Sequence, residues 1–535
     1  MADIVKISKV IIKNYRCLSN SQVTLNEHLN IIVGDNECGK STFLEAIHLA
    51  LSGQLNGRPI QAELHPHLFN AEAVRQYVKS FGSMFSKAPP TILIELYFLD
   101  DPGIARFRGK NNSLRQDAAG VKLLIEFNEE YQEEYAEYVA DPTIIRTIPV
   151  EYYVVRWRDF ADNDITARSI PIKSSFIDAS TIRNNSAASR YVLDLVKDGL
   201  SKKEQVDLAL SYRLMKDEFL TDERVREING SLDQKKGIVS QKTLSISLDT
   251  SSRASWELSV VPHLDDIPMP LVGKGEQNSV KIKLAMEASA QSHVFLIEEP
   301  ENHLSFSNLS ILISHISTRL SGRQLVLTTH SSFVLNKLGM DSVFLFRSGN
   351  ARPLKDLPKD TYNYFMKLPG YDTLRLILAK RAILVEGPSD ELIVQKAFLM
   401  RFGKMPLAMG VDVISVSSLA FKRFIDIAAL LSIDVDVVTD NDGDVSRLEK
   451  RYKDYFNFPS VEFEYDKDET AKTLEPQLVK SNGLDIVNSI IGKSFQTAED
   501  LLSYMADNKT ECALKFFETD HCWTIPTYIK NVVHE

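Results

Sequence analysis

The sequence predicts an α/β protein made of two units, and three observations carry that reading. First, the apolar run Leu29-Asn30-Ile31-Ile32-Val33 leads into Gly34-Asp35-Asn36-Glu37-Cys38-Gly39-Lys40-Ser41 and then into a helical stretch from Thr42 to Ile47. Second, His293-Val294-Phe295-Leu296-Ile297 ends in the paired carboxylates Glu298 and Glu299. Third, from Lys380 onward short apolar runs again alternate with helical stretches, and those runs end in Glu386 and in Asp440-Asn441-Asp442. Strands alternating with helices argue for parallel sheets whose ligands gather at the carboxyl ends of the strands. A chain of 535 residues also exceeds what one hydrophobic core supports, so more than one domain is expected.

The bulk composition narrows the class. With 44% hydrophobic and 25% charged residues the chain reads as a soluble globular protein. No apolar run reaches the roughly 18–20 residues that span a bilayer, and Met1 to Lys6 lacks a signal-peptide pattern. Cys17, Cys38, Cys512 and Cys522 form no CxxC pair, which argues against zinc and against a disulfide framework. A reducing cytoplasm is the expected location, with no membrane partner. The net charge of −10 disfavours a polyanionic partner only if no bound cations offset it. Basic clusters at Lys380-Arg381, Lys422-Arg423 and Arg447 to Lys453 fit a solvated face or a phosphate contact equally well.

The element between 34 and 42 is a phosphate-binding loop in its required context of strand, loop and helix. Gly34 and Gly39 let the backbone wrap a phosphate, and Asn36 lies within that wrap. Lys40 reaches the outer phosphates, while Ser41, followed by Thr42, offers a hydroxyl to Mg²⁺. Glu298 is placed to reach that ion, and Glu299 to orient or deprotonate the attacking water. A Gly-rich turn, Gly273-Lys274-Gly275-Glu276-Gln277, opens a helical run from Val280 to Ala290 and offers a second anion site. The strand Gln324 to Thr329 ends in His330, which can hydrogen-bond a terminal phosphate or its attacking water. Cys38 in the loop lacks a neighbouring base to activate it.

As an ordered set these parts resemble the ATPase heads of the ABC superfamily, in the SMC, Rad50 and RecF branch. Ile12-Lys13-Asn14-Tyr15-Arg16-Cys17-Leu18 looks like that branch's first hairpin, with Arg16 near the nucleotide. Gly273, Gly275 and Gln277 stand at the signature loop, Glu301-Asn302-His303-Leu304 at the D-loop and His330 at the switch histidine. Lys274 and Glu276 depart from the commonest signature, so transport is not implied. Gln61 stands where a metal-contacting glutamine could be, although a plain loop residue accounts for it as well. The resemblance implies ATP as ligand and a homodimer or higher homo-oligomer, because one head's signature completes another's site. Residues 183–250 are charged and helix-rich without heptads, so a short inserted dimerisation element is expected there instead of a long coiled coil.

In the last third, Arg381 to Val385 ends at Glu386, followed by Gly387, Asp390 and a helix through Met400. Asp434 to Thr439 ends at Asp440 and Asp442, followed by Asp444 and a helix from Ser446. Such carboxylates converge at one crevice and need cations to stay ionised together. Oxygen ligands select Mg²⁺ or Mn²⁺, or Ca²⁺, over zinc. An EF-hand is disfavoured, because a strand precedes the acidic run and no glutamate falls in register.

This pattern resembles the TOPRIM fold of topoisomerases, primases and certain nucleases, with Glu475 and Lys509 extending the match. An ABC-type head followed by TOPRIM is similar to the OLD (overcoming lysogenisation defect) nuclease family, which includes the Gabija nuclease and retron-associated effectors. The resemblance implies an ATPase domain over 1–355, a linker over 356–379 and a TOPRIM nuclease domain over 380–535. It also implies two divalent ions held by Glu386, Asp390, Asp440, Asp442 and Glu475, with Lys509 aiding phosphodiester cleavage. DNA is the implied substrate and antiviral defence the implied role, with room for a partner protein or an RNA or DNA element. The rival class is a non-nuclease SMC- or RecF-like clamp or sensor driven by ATP.

Overall fold

The computed structural model describes residues 5–534 other than 36–37, 82–86, 141–144, 179–191, 194–195, 198, 237–241, 250–255, 257–258, 289–292, 320–321, 348, 368–370 and 417–420. The first unit is organised around a sheet in which Ser174–Asp178, Val294–Glu298, Gln324–Thr328, Leu29–Val33 and Val343–Arg347 lie side by side, all parallel. Asn350–Pro353 closes one edge antiparallel. Val294–Glu298 and Gln324–Thr328 are buried along their whole length, as their unbroken apolar runs require in a sheet covered on both faces. A second, antiparallel sheet runs Leu18–Thr24, Ile7–Tyr15, Ile92–Phe98, Ala118–Phe127, with Tyr153–Asp159 added beside the last.

The helix Lys40–Ser52 lies between these sheets, which explains why its apolar residues are not confined to one stripe. It ends at Gly53, whose φ is +66° and where a Cβ would come 2.6 Å from the Trp157 ring. The same indole donates from Nε1 to the Ala50 carbonyl at 3.0 Å, satisfying one of the open carbonyls of the last turn. The two sheets are also tied by Gln324, fully buried, which accepts from the Ile7 N–H at 2.9 Å and donates to the carbonyls of Ile7 and Asn26 at 2.8 Å. The helical element expected around 183–250 appears as Lys202–Phe219, with Ser201 and Glu204 forming a capping box, and Glu223–Asp233. The first part of that range, 183–191, lies outside the described residues. The longer of the two helices exposes Val206, Leu210, Leu214 and Met215.

The second unit is a parallel sheet ordered Val411–Ser415, Arg381–Val385, Asp434–Val438, Val461–Glu464. Its strand period of two divides the core. Ala382, Leu384, Ile414, Val435 and Val437 share one apolar cluster with Ile31, Val33, Leu325 and Leu327 of the first unit. Ile383, Val385, Val413 and Val438 face the C-terminal helices. The segment 356–379 carries the helices Lys359–Lys367 and Tyr371–Leu378, and Leu376 and Ile377 lie in the shared cluster. A buried exception, Asp436, is held by Arg381 at 2.6 Å, and the same guanidinium reaches the Val532 and His534 carbonyls at 2.8 and 2.7 Å. That arginine fastens the end of the chain beneath the sheet.

Candidate functional site

The phosphate loop joins Leu29–Val33 to Lys40–Ser52, and its glycines are demanded by close approach. A Cβ on Gly34 would sit 2.1 Å from the Phe346 carbonyl oxygen. Gly39 has φ +104°, and a Cβ there would lie 2.6 Å from Leu18 Cδ2. Lys40 Nζ donates to the Gly34 and Asp35 carbonyls at 2.9 and 2.8 Å, which holds the ammonium across the loop. Asn36 lies outside the described residues. Thr42 is buried one position after Ser41, and its hydroxyl accepts from Cys17 Sγ at 3.4 Å. Burial pushes the Cys38 thiol up, against the opposing pull of Lys40, so it is held protonated.

Ser41 Oγ donates to Glu298 Oε1, bringing the loop hydroxyl and the strand-end carboxylate onto one point. Burial raises the Glu298 carboxyl to about 7, and Asp178, Glu299 and Glu45 add to it while Ser41 opposes. Asp178 is the direct neighbour of Glu298 in the parallel register. Glu299 adopts φ +43°. Its carboxylate accepts from Asn302 Nδ2 at 2.8 Å and lies 3.5 Å from His330 Nε2. Burial and the Lys40 charge lower the His330 pKa, leaving a neutral imidazole against Glu299. Glu301 Oε1 accepts from the His330 N–H and from Thr329 Oγ1, both at 2.7 Å, so it fixes the backbone that carries the histidine.

Gly273, Gly275 and Gln277 lie at the start of the helix Lys274–Ala288, and Gly275 docks on the turn after Glu299. A Cβ on Gly275 would come 2.3 Å from the His303 carbonyl oxygen, whereas nothing lies within 4 Å of one on Gly273. Gln277 donates to the Val272 carbonyl at 2.7 Å, and Asn278 to that of Asn302 at 3.1 Å. Among the described residues none of their hydrogen bonds runs to the phosphate loop of the same chain. Gln61 is an exposed residue of the single turn Ile60–Glu63. Arg16, at φ +48°, lies 3.0 Å from Glu45 Oε1.

The second crevice forms where Arg381–Val385 and Asp434–Val438, adjacent and parallel, both end. Glu386 Oε1 accepts from Thr439 Oγ1 at 2.6 Å and from the Asp440 N–H at 3.0 Å, locking the two strand ends together. Asp390, in the first turn of Pro388–Phe402, accepts from the Gly387 N–H at 3.1 Å. Burial first, then Glu386 and Glu475, raise its carboxyl to about 7. Asp440 is raised to about 9, again by burial and then by Asp390, Glu386, Glu475 and Asp442. Asp442 is exposed at φ +50°. Asp444 instead caps the helix Val445–Tyr452, accepting from the Arg447 N–H at 2.9 Å. Asn441 braces this turn by donating to the Asp466 and Asp468 carbonyls at 2.8 and 2.9 Å.

Glu475, buried in the first turn of Leu474–Ile491, accepts from Thr473 Oγ1 at 2.7 Å, and Lys509 Nζ lies 3.6 Å from its Oε1. Lys509 heads the helix Lys509–Glu518 with half its side chain exposed. Sequence reading missed Tyr528, which is 4% exposed on the last helix. Its hydroxyl is buried without a hydrogen-bond partner among the described residues, and burial first, then Asp440, Asp390, Glu386 and Glu475, press its pKa upward. No sequence signal marks it, because the distance along the chain to Glu386 is too great for any spacing rule.

Among the described residues no group of three or more histidine, cysteine or carboxylate side chains is drawn into a ready-made metal cage. The donor set nevertheless fits a hard divalent cation. Five mutually repelling carboxyls, Asp440 held near 9 among them, supply only oxygens and face an imbalance that such a cation removes.

Three family models match stretches of the chain. An AAA domain model matches residues 9–244, which contain the phosphate loop, and a second AAA domain model matches residues 163–336, which contain Glu298, Glu299 and His330. The model for the TOPRIM domain of "overcoming lysogenization defect protein-like" chains matches residues 377–442, including Glu386, Asp390, Asp440 and Asp442. Among solved structures, the SMC head domain of Thermotoga maritima is 12% identical at a TM-score of 0.30, covering 65% of this chain and 99% of its own. An SMC head of Pyrococcus furiosus, solved with the C-terminal domain of ScpA, is 14% identical at 0.32, covering 65% and 95%. The recombination mediator RecF with ATP is 12% identical at 0.33, covering 66% and 100%. No curated protein matches the sequence.

Proposed function

As an AAA-type ATPase fused to an OLD-like TOPRIM domain, the chain holds two sites of opposite character, and we propose that it is an ATP-hydrolysing, divalent-metal-dependent DNA endonuclease. The observation that carries the nuclease half is the Glu386–Asp440 junction, where two strand ends present carboxyls that burial and mutual repulsion leave short of positive charge. Divalent ions bound there supply polarisation of a phosphodiester and stabilise the charge that develops on it. Glu386, Asp390, Asp440, Asp442 and Glu475 are the ligands we assign. Lys509, beside Glu475, is placed to offset charge on the scissile phosphate.

A cavity of about 570 Å³ supports nucleic acid as the substrate. Glu386, Asp440 and Asp442 line one side, and Arg447, Lys450 and Arg451 of Val445–Tyr452 line the other. A strand whose backbone rests on those cations would present a phosphate to the carboxylate side. In the first unit, Lys40 and the loop backbone bind the phosphates, Ser41 and Glu298 hold the Mg²⁺, and Glu299 with His330 positions the water. We read the assembly as a cytoplasmic homodimer or higher homo-oligomer acting in antiviral defence. The test is titration of Mg²⁺ or Mn²⁺ against supercoiled plasmid. Nicking or linearisation is expected, whereas binding without cleavage would favour a clamp, and relaxation with religation a topoisomerase.

A further inference from the structure

The phosphate loop has a direction. Glu298, Glu299 and His330 close strands on one side of Leu29–Val33, so the reacting end of a bound nucleoside triphosphate points that way. The remainder must leave over the other neighbour, Val343–Arg347. A cavity of about 620 Å³ opens there, within the range of small-ligand pockets. Gly34, Asp35 and Cys38 of the loop form its near wall, and Phe346 and Arg347 its floor. Ser19 of the first hairpin stands at one side. The far wall, Ile377 to Lys380, belongs to the junction with the second unit. The partly exposed Leu378 offers an apolar face to a flat base over the backbone of Phe346, and Arg347 and Lys380 offer donors to its edges or to the ribose.

We propose that this cavity receives the base and ribose of the bound nucleotide, so that residues 377–380 let the second unit sense nucleotide occupancy by direct contact. The proposal rests on the reading of Gly34 to Ser41 as a nucleotide site. Its mechanical basis is continuity. Ile377 is packed in the shared core, Lys380 passes directly into the strand Arg381–Val385, and that strand ends at Glu386. About five residues of strand, some 17 Å, therefore separate the nucleoside wall from the first acidic side chain of the other crevice. A phosphate-only ligand fills the loop but leaves this wall untouched, which makes the two halves of the ligand separable.

The test compares ATP with inorganic tripolyphosphate, each with Mg²⁺, on the full-length protein. Hydrogen exchange at 377–385 should slow with ATP and not with tripolyphosphate. Ala379→Phe and Ser19→Trp, on two different walls, should each weaken ATP by about tenfold or more while tripolyphosphate binds as before. ATP affinity unchanged in both variants, or ATP and tripolyphosphate weakened equally in both, would overturn the proposal, as would unaltered exchange at 377–385 under ATP. Wild-type protein that binds neither ligand would overturn the nucleotide site itself, a distinct result.

Discussion

Two crevices at the carboxyl ends of two parallel sheets gather acidic side chains, yet they solve opposite problems. The first carries its own positive side: Lys40 spans the loop, and Glu298 is met by the Ser41 hydroxyl. In the second, five carboxylates crowd one another beside Lys509, with Arg447, Lys450 and Arg451 on the cavity lining, and Asp440 rises to about 9 where Glu298 reaches about 7. One is built to receive an anion and the other to receive cations. The difference teaches that position in an α/β fold locates a site, while the local balance of charge decides what it takes.

The largest expected effect separates the two chemistries. Glu299→Gln should slow ATP hydrolysis by about 10²–10⁴-fold while nucleotide still binds, measured by phosphate release and by titration. Hydrolysis at the wild-type rate would remove Glu299 from the reaction. Asp440→Asn should lower metal-dependent DNA cleavage by about 10³-fold, several kcal/mol of barrier, while ATP turnover stays near normal. Cleavage that survives in protein freed of contaminating nuclease would move the reaction elsewhere.

The comparison sharpens further with pH. Asp390 and Asp440 have folded-state values above their usual 3.8, so the stability they contribute is full below about pH 4 and is lost as pH rises through 7 and 9. In EDTA, thermal denaturation should therefore fall over that window by more in the wild type than in Asp440→Asn. Added Mn²⁺ should recover the loss, most strongly at the alkaline end, because it binds the ionised set. A wild type whose Tm rises with pH in EDTA would contradict the repulsion on which the second site depends. Smallest is Tyr528→Phe. Its hydroxyl lacks a hydrogen-bond partner among the described residues, so the metal-free variant should melt at the wild-type temperature or slightly above it, by about 1 kcal/mol at most. A clear loss of metal-free stability would mean that the phenol has a partner.

Much of this was legible in the residues. Strand ends betray themselves because an apolar run must stop at a polar residue, and Glu298, Glu386 and Asp440 each follow such a run. The helix-rich character of 183–250 was also legible, seen as Lys202–Phe219 and Glu223–Asp233. What the residues hid was juxtaposition across sheets. Asp178 meets Glu298 only because Ser174–Asp178 joins the parallel sheet at its far edge, a pairing that no local pattern states. Glu301 read as part of a loop motif, and its grip on the His330 N–H emerges only when the neighbouring strand is placed. Tyr528 is the extreme case, a tyrosine unremarkable in sequence that the last helix carries under the acidic turn. Asp444, which follows the acidic turn, is seen to cap the helix through its contact with the Arg447 N–H.

The apolar cluster that runs from Leu325 and Leu327 through Ile377 to Leu384 and Val437 has a practical consequence for anyone dissecting the chain. Severing it near residue 360 would bare two oily surfaces that evolved to meet each other. Each fragment would be prone to precipitate, or to be rescued by co-expression with its counterpart. The two units are thus not beads on a string but halves of a single cooperative solid, and melting of either should drag the other with it.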